Sequence, residues 1–184
     1  MFAFTNSNTG DSATFSSTFS GSPTFNLIGA GSLVLAGDGK EYEFGRWLNG
    51  GGSNATGTIT VTFVKTISQA YLQVVELCGN DRSAPITSNN AYATGNNTNP
   101  YTANLPAPPL AGTNFDVYFL CGRESLGVAA PTGTPGVTNL IYVAGGSGTA
   151  GTYFRDTPPS QTESFCVGCA NKHWGTIAVE IKRP

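Results

Sequence analysis

The sharpest chemical motif in the chain is Cys166-Val167-Gly168-Cys169, with His173 shortly after it. Two thiolates at this spacing can chelate Zn²⁺, an ion that takes four ligands in structural sites. Cys78 and Cys121 could complete a four-cysteine set, or His173 could replace one of them. A second Cys-x-x-Cys pair is missing. The competing readings are a disulfide, joining Cys78 to Cys121 or Cys166 to Cys169, and four free buried thiols that pack as small hydrophobes. A thioredoxin-type redox pair would have to open a helix after a strand. Gly168 and the surrounding β pattern argue against that. The expectation is a fold that needs no metal and no cofactor.

Other reactive groups are sparse. His173 is the only histidine, and no Gly-x-Ser-x-Gly elbow accompanies it. Its place before Trp174 suits a capping or stacking role. Among the 11 carboxylates no pair stands out as an acid–base couple for a glycosidic bond. Glu76, inside an apolar run, is the one expected to feel its surroundings, most simply as an ion pair with Arg82, Arg123 or a neighbouring strand. Asp38 and Asn80-Asp81 sit at strand ends, where Ca²⁺ sites are often built, but no EF-hand-like loop exists. Trp47, Trp174, Tyr92, Tyr101 and Tyr153 could form a sugar-stacking platform. Both tryptophans are expected in the core, which leaves Tyr92 and Tyr101 as the glycan-contact candidates. The chain is not expected to be an enzyme.

The elements that would carry these residues read as strands. Two apolar runs, Tyr71 to Gly79 and Phe115 to Gly122, both close on Leu-Cys-Gly and predict buried strands stopped by glycine. Gly57 to Lys65 alternates Ile59, Val61 and Phe63 with Thr58, Thr60 and Thr62, the pattern of a half-buried strand. Further strands are expected at Phe25 to Ile28, Ser32 to Ala36, Asn114 to Cys121, Val137 to Ala144 and Gly175 to Lys182. Asp81 to Pro109, rich in Asn and Pro, is expected to be a long loop. No segment predicts a helix. Residues 1–24 carry Phe2, Phe4, Phe15 and Phe19 in a polar background, too aromatic for a disordered tail. They are expected to form an extended, partner-binding arm that adds a strand to its own sheet or a neighbour's. Residues 25–184 then form an antiparallel two-sheet β-sandwich of jelly-roll or immunoglobulin-like topology.

Composition narrows the setting. Charged residues make up 11% of the 184 residues, and the net charge is −2. That is far below the usual charged fraction of about 25%. Thr, Ser, Asn and Gly must supply the polar surface, which suits adhesive, extracellular or virion proteins. The nine Lys and Arg are scattered, so no nucleic acid is expected as a partner. No apolar stretch is long enough for a membrane span. Met1-Phe2-Ala3-Phe4 lacks the basic-then-apolar pattern of a secretory signal. Assembly onto a particle inside a cell is one route that needs none. Asn54-Ala55-Thr56 and Asn96-Asn97-Thr98 match the glycosylation pattern and are read as chance in so Asn- and Thr-rich a chain.

The Thr-rich strand from Gly57, the run Val75-Glu76-Leu77-Cys78-Gly79-Asn80-Asp81, the Phe115 to Cys121 strand and the closing Trp174-Gly-Thr-Ile-Ala-Val-Glu-Ile181 together resemble β-sandwich domains of tailed-bacteriophage structural proteins. The resemblance covers roughly residues 55–182. It implies a head decoration (cement) protein, a head fibre or a tail appendage. On that reading the chain decorates or cements a capsid. Its partners are a major capsid protein or another virion protein and further copies of itself, as a dimer or trimer. It would reside in the virion after assembly in the host cytoplasm. The alternative is a carbohydrate- or receptor-binding module.

Overall fold

The computed structural model describes residues 2–6, 13–18, 25–27, 33–34, 41–47, 57–64, 66, 70–81, 84–98, 100–110, 112–123, 136–145, 148–156, 161–165 and 172–184. They form an all-β structure in which every strand pairing is antiparallel. Among the described residues no helix is long and apolar enough to cross a membrane.

The main sheet is built around β10 (Asn114–Arg123), which pairs with β12 (Gly148–Arg155) on one side and β14 (Lys172–Lys182) on the other. The outer strands are β11 (Val137–Gly145), paired to β12, and β8 (Ile86–Thr98), paired to β14. Every residue from Asn114 to Gly122 is buried. A central strand covered on both faces needs a continuous apolar run, which is how this segment reads. One face carries Tyr118, Leu120, Tyr153, Trp174 and Ala178; the other carries Phe115, Val117, Phe119, Ile177, Val179 and Ile181.

A two-stranded antiparallel sheet, β9 (Tyr101–Asn104) with β13 (Thr162–Phe165), supplies Tyr101, Ala103 and Phe165 to the first core. The Phe165 ring lies 4.8 Å from Tyr153 and 5.7 Å, edge-on, from Tyr118. These are favourable offset and edge arrangements.

A second sheet runs in the order β3 (Phe25–Leu27), β5 (Glu41–Trp47), β1 (Phe2–Asn6), β7 (Ala70–Val74), with β4 (Leu33–Val34) also on β5. β1 therefore lies between two strands of its own chain, and both of its edges are used. β2 (Ala13–Ser17) pairs with β6 (Ile59–Phe63). In β6 the expected alternation holds: Ile59, Val61 and Phe63 are half-buried, Thr60 and Thr62 exposed.

Three sequence expectations change. The expected loop from Asp81 to Pro109 contains the 13-residue strand β8 and the strand β9. The run Ala70 to Cys78 leaves its ladder after Val74 and is not buried throughout: Gln73 is buried while Leu72 and Val74 are each 46% exposed. Because a strand alternates faces, burying one polar residue turns both apolar neighbours outward. Finally, the two Leu-Cys-Gly sequences are not equivalent. Gly79 sits at φ 70°, a left-handed turn that suits glycine, whereas Gly122 continues inside β10 opposite Trp174 and Thr149.

Candidate functional site

After β7 the chain from Val75 to Cys78 runs on outside any described ladder and turns at Gly79. Val75 and Leu77 point inward, Leu77 against the core of Phe115 and Val117. Glu76 and Cys78 point to solvent. This stretch, with Phe115, Leu140, Phe154 and Arg183, walls an open groove of about 390 Å³. Phe115 and Phe154 pack at 5.3 Å, and the Arg183 guanidinium lies 5.6 Å from the Phe115 ring centre. Arg183 is also paired to Asp156. The groove thus has an aromatic and aliphatic floor with one anion, one cation and one thiol at its walls. That lining is suited to gripping an apolar side chain of a partner.

The strongly buried polar residues lie elsewhere. Arg155, Asp116 and Glu180 are neighbours in one rank across β12, β10 and β14, and Glu163 approaches from β13. Their exposures are 9%, 0%, 3% and 0%. Arg155 donates to Glu163 at 2.6 Å, and the Tyr118 hydroxyl donates to Asp116 at 3.1 Å. Removing one partner of a buried ion pair costs about 3–5 kcal/mol, because a charge is left uncompensated. Glu180 accepts hydrogen bonds from Asn114 Nδ2 (2.7 Å), the Leu110 amide (2.8 Å), Asn89 Nδ2 (2.8 Å) and Thr87 Oγ1 (3.1 Å). Burial would raise this carboxyl, but the four donors outweigh it and hold its pKa below the ordinary value. Burial raises the Tyr118 phenol, reinforced by the negative charges of Asp116 and Glu163. These groups brace the sheet; their lack of exposure keeps them from meeting a substrate.

The sequence candidates are dispersed. Phe2 and Phe4 fall in β1 and Phe15 in β2, while Phe19 lies outside the described residues. Tyr92, in β8, is 49% exposed. Tyr101, expected in a loop with it, is fully buried in β9, its ring 5.5 Å from Trp174. Tyr101 therefore offers no face to a sugar, since its ring is spent on the core. Trp174 is in the core as expected, while the side chain of Trp47 lies outside what is described.

Cys78 is exposed and Cys121 buried, and no disulfide joins the two. Cys166 and Cys169 lie outside the described residues, as do Arg82 and the side chains of Arg123 and His173. Among the described residues no three His, Cys, Asp or Glu are gathered to hold a metal ion. Glu76, the carboxylate singled out in the sequence, is exposed at the groove.

The buried carboxylates were passed over in the sequence. Asp116 stands inside an apolar run just as Glu76 does, and that was the available signal. Glu180 has the parity of Thr176 and Ala178, which reads as a solvent face until β9 and the 105–110 segment are seen to cover it. Compared with known family models, curated proteins and solved structures, the chain matches none.

Proposed function

We propose that this chain is a non-enzymatic structural protein of a tailed-phage virion, which decorates or cements the capsid. The sandwich, of jelly-roll or immunoglobulin-like topology, would be the rigid body, and the groove walled by Val75 to Gly79 the anchor point. The single observation that carries this reading is that groove: an aromatic-floored cleft of about 390 Å³ on a chain with only 11% charged residues. Exposed Leu140 lines it. Apolar patches of this kind mark protein contacts on otherwise polar surfaces. A specific contact with the capsid would bury on the order of 1,000 Å² in all. The partner is a major capsid protein or another virion protein, together with further copies of this chain.

The test is binding of the purified protein to particles that lack it, with Leu140→Lys as the groove variant. Leu140 is 43% exposed, so the variant is expected to fold. We expect its particle binding to fall at least tenfold with an unchanged melting temperature. Wild-type protein that does not bind particles at all would contradict the reading.

A carbohydrate- or receptor-binding module is the second reading, favoured by exposed Tyr92 on the Asn-rich strand β8. Glycan binding lost in Tyr92→Ala would support it.

A further inference from the structure

The Gln73 carboxamide lies between a hydroxyl and a thiol. Its Oε1 accepts a hydrogen bond from Thr152 Oγ1 at 2.6 Å, and its Nε2 faces the Cys121 sulfur at 3.8 Å. All three residues are buried: Gln73 is 2% exposed, Thr152 0% and Cys121 3%. Ala150 and Tyr71 pack on Cys121.

A hydrogen bond alone accounts poorly for this arrangement. A buried carboxamide has two N–H donors and needs good acceptors for them. Among the described residues the Gln73 nitrogen meets a thiol, which accepts weakly. On the other side the hydroxyl stands where it can attack. With a C=O bond of about 1.23 Å and the donor along a carbonyl lone pair, a 2.6 Å contact puts Thr152 Oγ1 about 3.4 Å from the Gln73 Cδ. Reacting atoms in a near-attack geometry are about 3–3.5 Å apart. A polar residue set in a core with one poor partner marks a functional position more often than a structural one.

We propose that Thr152 and Gln73 react with each other to form an ester that ties β12 to β7. Thr152 Oγ1 adds to Cδ, the Cδ–Nε2 bond breaks and ammonia leaves. The Cys121 S–H protonates the departing nitrogen and its sulfur takes the Thr152 proton in exchange, so the thiol is regenerated. The step consumes no oxidant, reductant or co-reactant. The hydroxyl is the nucleophile because it lies on the carbonyl side of the carboxamide, whereas the sulfur faces the nitrogen. The hydrogen-bonded pair is the state before reaction. Burial keeps water from the ester once it has formed. The bond joins the two five-stranded sheets and closes a long loop of the unfolded chain, which favours the folded state. The inference goes beyond the assembly reading and does not depend on it.

The experiment follows the intact mass of the purified full chain, held folded at neutral pH and sampled over days. In wild type a fraction that grows with time is expected to fall short by one ammonia. Digestion of that fraction is expected to yield one branched peptide containing both Gln73 and Thr152, which hydroxylamine splits. Thr152→Ser is expected to react and Thr152→Val not to, with melting temperatures confirming that both are folded. Cys121→Ala is expected to slow the reaction by about a hundredfold, the usual scale of acid–base assistance. A wild-type chain that keeps its full mass, with Gln73 and Thr152 found only on separate peptides, would overturn the inference whichever variants fold. Ammonia loss that persists in Thr152→Val would overturn it too, since the chemistry would then lie elsewhere.

Discussion

Thr152 of β12 donates a 2.6 Å hydrogen bond to Oε1 of Gln73 in β7, and both side chains are at most 2% exposed. The Gln73 amide in turn reaches the Cys121 sulfur at 3.8 Å. This polar contact joins the two five-stranded sheets. It also explains why β7 turns Leu72 and Val74 to the outside.

Gln73→Ala should therefore destabilise the fold by about 1–3 kcal/mol, the cost of leaving a buried hydroxyl without its acceptor. Gln73→Leu combined with Thr152→Val should recover much of that loss, since both buried polar groups are then gone. Denaturant melts of the two proteins decide the point. Equal stability of wild type and Gln73→Ala would show that the contact contributes nothing.

Glu180 sets the acid limb of stability. Its folded pKa lies below its unfolded value of 4.5. The folded state thus binds its proton less readily, and the stabilisation is present above that value and lost as pH falls through the lower folded pKa. Glu180→Gln should cost about 2–4 kcal/mol at neutral pH. It should also flatten the acid dependence of the melting temperature. A wild-type and variant pair that lose stability in parallel below pH 4.5 would assign the acid limb to other groups.

The alkaline limb belongs to buried phenols. Burial pushes Tyr101 up to about 12, assisted by the neighbouring Tyr142 phenol, and burial likewise raises Tyr118 and Tyr153. Above the unfolded value of 10.0 the unfolded chain loses these protons first, so stability falls as pH rises toward the folded values. Tyrosinate absorbance from the buried set should rise only together with unfolding, above the ordinary value of 10.0. A single stage near the ordinary value, with the fold intact, would contradict the burial of Tyr101 and Tyr118.

Gly95 is needed for space. A Cβ there would stand 2.2 Å from the Trp174 ring and 2.3 Å from Thr98 Oγ1, the acceptor of the indole N–H at 3.1 Å. Gly95→Ala should displace the indole and cost about 1–3 kcal/mol. Near-ultraviolet circular dichroism and tryptophan fluorescence read the displacement; an unchanged spectrum and melt would mean that Trp174 does not lie on Gly95.

How much of this was legible in the sequence depended on whether one physical signal dominated each segment. β6 and β10 were readable because alternation and continuous apolarity are direct images of one-sided and two-sided burial. β8 was not, because its Thr, Asn, Ala and Gly side chains carry almost no apolar signal. It is a strand through its ladder to β14, and its polar groups serve Glu180 and Ala107. β7 was placed correctly, but its half-exposure was not legible, because a buried Gln73 is intelligible only once Thr152 is known to lie opposite. Tyr101 read as a loop residue for the same reason: Pro and Asn around it outweighed the short strand that buries it. The groove lies on the apolar run ending at Gly79, which the sequence shows, yet its other walls come from β10, β11, β12 and the C-terminal segment, which only the fold brings together.

The central claim, that this protein holds a virion together, is tested most directly by heating particles with and without it. A cement protein binds the assembled shell and not its separated subunits, so it must stabilise the shell by mass action. Particles lacking the protein should release their contents at a lower temperature, and adding the purified protein back should restore the wild-type release temperature. An identical release temperature with and without a saturating amount of the protein would contradict the account.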